Sequence, residues 1–194
     1  MIDRLSSTAP KNRRDGANQA TSLPFQCVST RIVAATADAL FRHLDDHKRL
    51  ASHMGQSSWM MAGSTMDIEL DAAKGQAEGS HIRLRGRVMG ISVSVEEVVT
   101  EHEPPLRKVW ETMGVPKLLV IGHYKMGFEI TPQGTSSLLH VFINYDLPEP
   151  LLSRLLGHLL GSFYARWCTE SMAKDAASYF APSASEKPRN EAVR

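Results

Sequence analysis

The stretch from Leu151 to Phe180 constrains this chain most, because it contains no proline and follows directly on Pro148 and Pro150. Proline is tolerated where a helix begins and disfavoured inside one. About 30 uninterrupted residues rising about 1.5 Å each make a helix about 45 Å long. A helix of that length must cross most of any small sheet it packs on. At about 100° per residue, Leu152, Leu156, Leu159, Leu160, Phe163 and Trp167 share one face. Arg154, His158, Ser162 and Thr169 fall on the other. The face of large apolar residues is expected to be the buried one.

Upstream the period changes to two. Met66, Ile68 and Leu70 alternate with acidic residues, and Ile82, Leu84 and Val88 with His81, Arg83, Arg85 and Arg87. Val93 and Val95 continue the pattern, and Val109 to Val115 reads as a short strand broken at Pro116. Tyr124, Met126, Phe128 and Ile130 follow, then Leu139, Val141, Ile143 and Tyr145. Such alternation describes an antiparallel sheet with one covered face. Before it, Phe25–Val33 reads as a strand. Thr36 is placed to cap a helix carrying Ala37, Leu40, Phe41 and Leu44 at helical spacing. A second short helix is expected from His47 to Met54, with Leu50, Ala51 and Met54 inward.

Charge and composition set the domain limits. Residues 1–24 and 183–194 are polar and carry net charges of +2 and +1, which predicts two disordered tails around a domain at residues 25–182. That domain holds 15 basic and 17 acidic residues, so it lacks the basic excess expected of a nucleic-acid binder. No run reaches the roughly 18–20 apolar residues of a membrane span. The N-terminus has no apolar core of a secretory signal, which predicts a cytoplasmic protein with reduced Cys27 and Cys168.

The order is thus strand, two short helices, six strands and one long helix. With it go three local phrases: Val33-Ala34-Ala35-Thr36-Ala37-Asp38-Ala39-Leu40-Phe41, Val98-Val99-Thr100-Glu101-His102-Glu103-Pro104-Pro105-Leu106 and Phe128-Glu129-Ile130-Thr131-Pro132. Over residues 25–182 the chain resembles the Bet v 1-like, START-like superfamily, the SRPBCC group of polyketide cyclases and lipid-transfer domains. The resemblance implies an α+β helix-grip fold, in which a curved antiparallel sheet of about seven strands wraps the C-terminal helix. It also implies a cavity between them for a small hydrophobic or amphipathic ligand (a lipid, isoprenoid, quinone or polyketide-like molecule), with no cofactor. Leu156, Leu160, Phe163 and Trp167 are then expected to form the helix wall. Tyr124, Met126, Phe128, Ile143 and Tyr145 are expected to form the sheet wall.

Other readings compete with a plain carrier. The same fold supports cyclase or aromatase-like enzymes, which need a shaped pocket and one or two acid–base groups. His123 and Tyr124 are the candidates, His123 entering the pocket if its strand is bulged. A third reading, a co-chaperone-like interaction module, would use the basic row Arg83, Arg85 and Arg87. That row is more simply a solvated face paired with Glu96 or Glu69. His43 and His47 have the i, i+4 spacing of zinc ligands. No third ligand stands at informative spacing, so no metal is expected. Gly157-x-x-x-Gly161 is read as allowing a loop or another chain to approach the long helix closely. Phosphate-loop, dinucleotide and serine-nucleophile motifs are absent from the sequence.

Overall fold

The computed structural model describes residues 23–50, 65–88 and 90–181. Seven strands form one antiparallel sheet: β1 (Phe25–Val33), β2 (Thr65–Leu70), β3 (His81–Val88), β4 (Ile91–Glu103), β5 (Arg107–Lys117), β6 (Tyr124–Gln133) and β7 (Ser136–Tyr145). Their order across the sheet is β1-β7-β6-β5-β4-β3-β2, so the first strand closes against the last and the edges are β1 and β2. Two short helices, α1 (Ala37–Leu44) and α2 (His47–Leu50), follow β1, and the long helix α3 (Leu151–Tyr179) ends the fold. This is the helix-grip arrangement, a curved sheet holding the C-terminal helix.

Local chemistry accounts for most of these elements. Thr36 Oγ1 accepts the Ala39 N–H at 3.4 Å, capping α1, and Ala37, Leu40, Phe41 and Leu44 are buried as their spacing requires. On β3, Ile82 and Leu84 point into the core. Arg83 and Arg85 point out, meeting Glu96 at 3.1 Å and Glu69 at 3.9 Å. The basic row is a solvated outer face whose ion pairs contribute little. β5 does not break at Pro116 but runs on to Lys117. Its pairing with β6 covers only Arg107–Glu111, and its register with β4 shifts between Ser94 and Glu96, so Pro116 displaces no regular ladder bond. The second helix begins at His47 as expected. Its continuation through Ala51 and Met54 lies outside the described residues, as do residues 1–22 and 183–194 of the expected tails.

The buried face of α3 is not the one its large residues suggested. Gly157, Gly161, Ala165, Cys168, Thr169, Met172, Ala173 and Ala176 face the sheet, and Thr169, expected outside, is fully buried. Leu152, Leu159, Leu160 and Phe163 face solvent, Leu156 sits at the margin, and Trp167 is partly buried. The reason is distance. A Cβ on Gly157 would lie 2.9 Å from the Val120 carbonyl oxygen, and one on Gly161 3.0 Å from the same atom. The segment around Val120 and Leu147 comes so near the helix axis that only glycine fits, and large side chains are turned outward. The small-residue spacing therefore serves a close approach by a loop of the same chain.

Candidate functional site

Between sheet and helix lies a cavity of about 90 Å³. Strands β2 to β5 contribute Met66, Leu84, Val95, Glu97 and Trp110, and β6 and β7 add Tyr124, Met126 and Ile143. Leu118 and Ile121 of the β5–β6 connection, His47 of α2, and Tyr164, Cys168 and Met172 of α3 complete it. Most of this wall is apolar. Its three methionines are unbranched and polarizable, so they can repack around guests of different shape.

The polar part of the wall belongs to a buried chain of ionisable side chains. The Tyr124 hydroxyl donates to Glu97 Oε1, and Glu97 Oε2 lies 3.7 Å from His47 Nε2. His47 Nδ1 is 3.5 Å from Lys108 Nζ, which donates to Asp45 Oδ1 at 2.6 Å and to the Asp45 carbonyl at 3.3 Å. Asp45 in turn accepts from His102 Nε2 at 3.1 Å. An ammonium can only donate, so the contact with Lys108 makes His47 Nδ1 the acceptor and puts the ring proton on Nε2, facing Glu97. Glu97, His47, Asp45 and Lys108 are each less than a tenth exposed. Such groups persist in a core only as a mutually satisfied set.

Burial also acts on the ionisation of Tyr124, Lys108 and Cys168. It pushes the Tyr124 phenol well above its usual value, helped by the adjacent Glu97, so the hydroxyl keeps its proton. Burial lowers Lys108, and its bond to Asp45 opposes that drop. Tyr164 is raised by neighbouring Cys168 and by burial. The Cys168 thiol is pushed up to about 12 by burial, which makes it a poor nucleophile near neutrality. The chemistry available at the cavity is therefore hydrogen bonding at Glu97, His47 and Tyr124.

Of the residues expected at the site, Tyr124, Met126 and Ile143 line the cavity together. Phe128 and Tyr145 are buried one layer away: Phe128 packs on Phe41 and Trp110, and Tyr145 stacks on Phe25 at 5.4 Å. Leu156, Leu160 and Phe163 are absent from the wall because α3 is turned, and Trp167 packs beside Tyr164 rather than into the space. The helix wall is Tyr164, Cys168 and Met172 instead. His123 does not enter the cavity. It is held by Asp146 Oδ2 at 3.2 Å and the Gly114 carbonyl at 3.0 Å, on a separate surface groove with Val115, Leu147 and Ser153. His43 packs against Tyr179 and Phe180 while His47 turns to the cavity. Among the described residues no group of three or more His, Cys, Asp and Glu is arranged to hold a metal.

Reasoning from sequence did not bring Glu97, Lys108, Asp45 and His102 to the cavity, and took up His47 only for its zinc-type spacing from His43. For two of them a signal existed. Val93, Val95, Glu97 and Val99 occupy successive inward positions of β4, and Lys108 shares the inward parity of Trp110 on β5.

Comparison with known proteins supports the same architecture. The family described as "Polyketide cyclase / dehydrase and lipid transport" matches residues 24–177. Among solved structures, the protein TTHA0849 from Thermus thermophilus superposes with a TM-score of 0.55 at 18% identity, covering 79% of this chain and 94% of that one. Norcoclaurine synthase from Thalictrum flavum gives 0.52 at 16% identity, covering 89% and 97%. The protein Ara h 8.0201 gives 0.52 at 9%, covering 79% and 98%. Identities this low speak for the fold alone. No curated protein sequence matches the chain. Among the described residues no helix is long and apolar enough to cross a membrane.

Proposed function

Because this chain belongs to the polyketide cyclase / dehydrase and lipid transport family, a hydrophobic-ligand-binding fold, we propose that its cavity binds one small amphipathic molecule by a polar group at its inner end. The observation that carries this reading is the position of Glu97, a buried carboxylate in an otherwise apolar wall, flanked by the Tyr124 hydroxyl and His47 Nε2. Glu97 accepts a hydrogen bond from a ligand hydroxyl, its oxygens having room for a further donor beside Tyr124 and His47. Met126, Ile143, Leu84 and Met172 hold the apolar body. At about 90 Å³ the cavity takes a single ring or a short chain end, and rearrangement of its methionines admits more. The unpaired thiols Cys27 and Cys168 suit a reducing compartment, and the cytoplasm is our proposed location.

The test is titration with an environment-sensitive apolar dye, followed by native mass spectrometry of freshly purified protein. Saturable dye binding should be lost in Ile143→Trp, whose indole fills the cavity, while the protein stays folded. Unchanged dye binding in that variant would place the ligand elsewhere.

A second reading, acid–base catalysis in the same cavity, is favoured by the proton-bearing chain behind Glu97. Glu97, a buried carboxylate in the cavity wall, is the candidate base. The probe is 5-nitrobenzisoxazole. The base takes its ring C–H proton, the N–O bond breaks, and a nitrophenolate is released. Elimination above the buffer rate, lost in Glu97→Gln while dye binding persists, supports the enzyme. Equal rates in both proteins favour the carrier.

A further inference from the structure

The first half of α3 carries seven large apolar side chains that the fold leaves in solvent. Leu151, Leu152, Leu155, Leu156, Leu159, Leu160 and Phe163 range from 37% exposed at Leu156 to 87% at Leu151. They lie opposite Gly157, Gly161 and Ala165, which face the chain's own sheet and loop. The helix thus has two apolar faces, and among the described residues only one of them is packed.

Together the seven expose roughly 700 Å² of apolar surface, more than the ~300–600 Å² of the largest patch on a typical monomer. That approaches the ~800 Å² that each partner gives to a stable protein interface. Leu152, Leu156, Leu159 and Phe163 follow one another at spacings of four, three and four, the seam by which two helices pack knobs into holes. Leu155 and Leu160 flank the seam. Arg154 is the only Lys, Arg, Asp or Glu between Leu151 and Phe163. A helix that lies on a membrane surface carries basic residues along its polar face, whereas the core of a homodimer interface is apolar and poor in charge. Among the described residues nothing packs over this face, whose large apolar side chains stay 37–87% exposed.

We infer that the outer face of α3, from Leu151 to Phe163, is the interface through which two copies of this chain form a two-fold dimer. In a two-fold pair of antiparallel helices the same patch serves both copies, and each end of one seam meets the opposite end of the other. The interface leaves the cavity wall untouched, because Tyr164, Cys168 and Met172 belong to the other face.

Sedimentation of the full chain over a wide concentration range tests this. The parent should show twice the chain mass, and Leu152→Glu combined with Leu159→Glu should show the single mass with an unchanged far-ultraviolet spectrum. As a measurement independent of that variant's folding, Leu159→Cys in a Cys27→Ser background should cross-link between copies under mild oxidation. A parent that stays monomeric throughout, or a dimer that survives the double substitution, overturns the inference. A monomer that floats with vesicles of neutral and anionic phospholipid also overturns it, assigning the face to a lipid surface.

Discussion

Glu97 occupies a position on β4 whose neighbours on the same face, Val93, Val95 and Val99, are all buried valines. A lone carboxylate there would be costly; this one is surrounded by a hydroxyl, an imidazole and, beyond it, an ammonium. Removing one charge from such a set strands the others, a loss of about 3–5 kcal/mol where an ion pair is deeply buried. Cys168, at the same cavity, gives a cleaner prediction because one group carries it. Its native thiol is raised by burial from 9.0 to about 12. An unfolded chain sheds that proton first, so the native state binds more protons above pH 9 and stability must fall as pH rises. The contribution is fully present below the unfolded value and declines between pH 9 and 12. From pH 9 to 10 the loss attributable to Cys168 is about 1 kcal/mol. Urea unfolding of the parent and of Cys168→Ala at both pH values measures it: the parent should lose about 1 kcal/mol more than the variant across that step. Equal slopes would show that the thiol is not withheld from solvent.

At the scale of elements, α3 illustrates how packing overrides hydrophobicity. Its sheet-facing positions are small because the loop at Val120 and the turn at Leu147 run close to its axis. Glycine inside a helix normally costs about 1 kcal/mol relative to alanine. An alanine at Gly157 would reverse that gain, since its Cβ would press on the Val120 carbonyl at 2.9 Å and on Pro148 at 3.1 Å, neither of which is a flexible side-chain end. Gly157→Ala is expected to destabilise the protein by about 1–3 kcal/mol, in the range of overpacked sites, with unfolding midpoints as the measure. A stabilised variant would mean that loop and helix separate easily. On β3, by contrast, replacing Arg83, Arg85 and Arg87 together with Gln should leave the midpoint nearly unchanged, because exposed pairs such as Arg83–Glu96 contribute about 0–1 kcal/mol each.

For the whole molecule, the domain boundaries lead to one further prediction. The buried cluster runs from Val33 to Ala176, with Phe180 packed against it, and the family match covers residues 24–177. A chain trimmed to residues 25–182 is therefore expected to melt within a few degrees of the full chain in a calorimeter. A collapse of the melting temperature would place part of the core in residues 1–24 or 183–194.

Element order was legible in the sequence, because period two and period 3.6 are local signals that need no knowledge of neighbours. The long helix, the sheet, the Thr36 cap and the outward arginines all follow from residues a few positions apart. Tyr124, Met126 and Ile143 were found in the same way, as alternate positions on two paired strands. The buried face of α3 was not legible. Both of its faces are apolar, and the choice between them depends on how near a loop some 40 residues upstream approaches. The polar chain was not legible either. Asp45, His47, Glu97, His102, Lys108 and Tyr124 come from four elements and the turn between α1 and α2, and nothing in their spacing joins them. Periodicity determines which side chains can share a face. Only the folded packing decides which face is covered and which buried charges find one another, because both depend on through-space distances that the chain acquires when it closes.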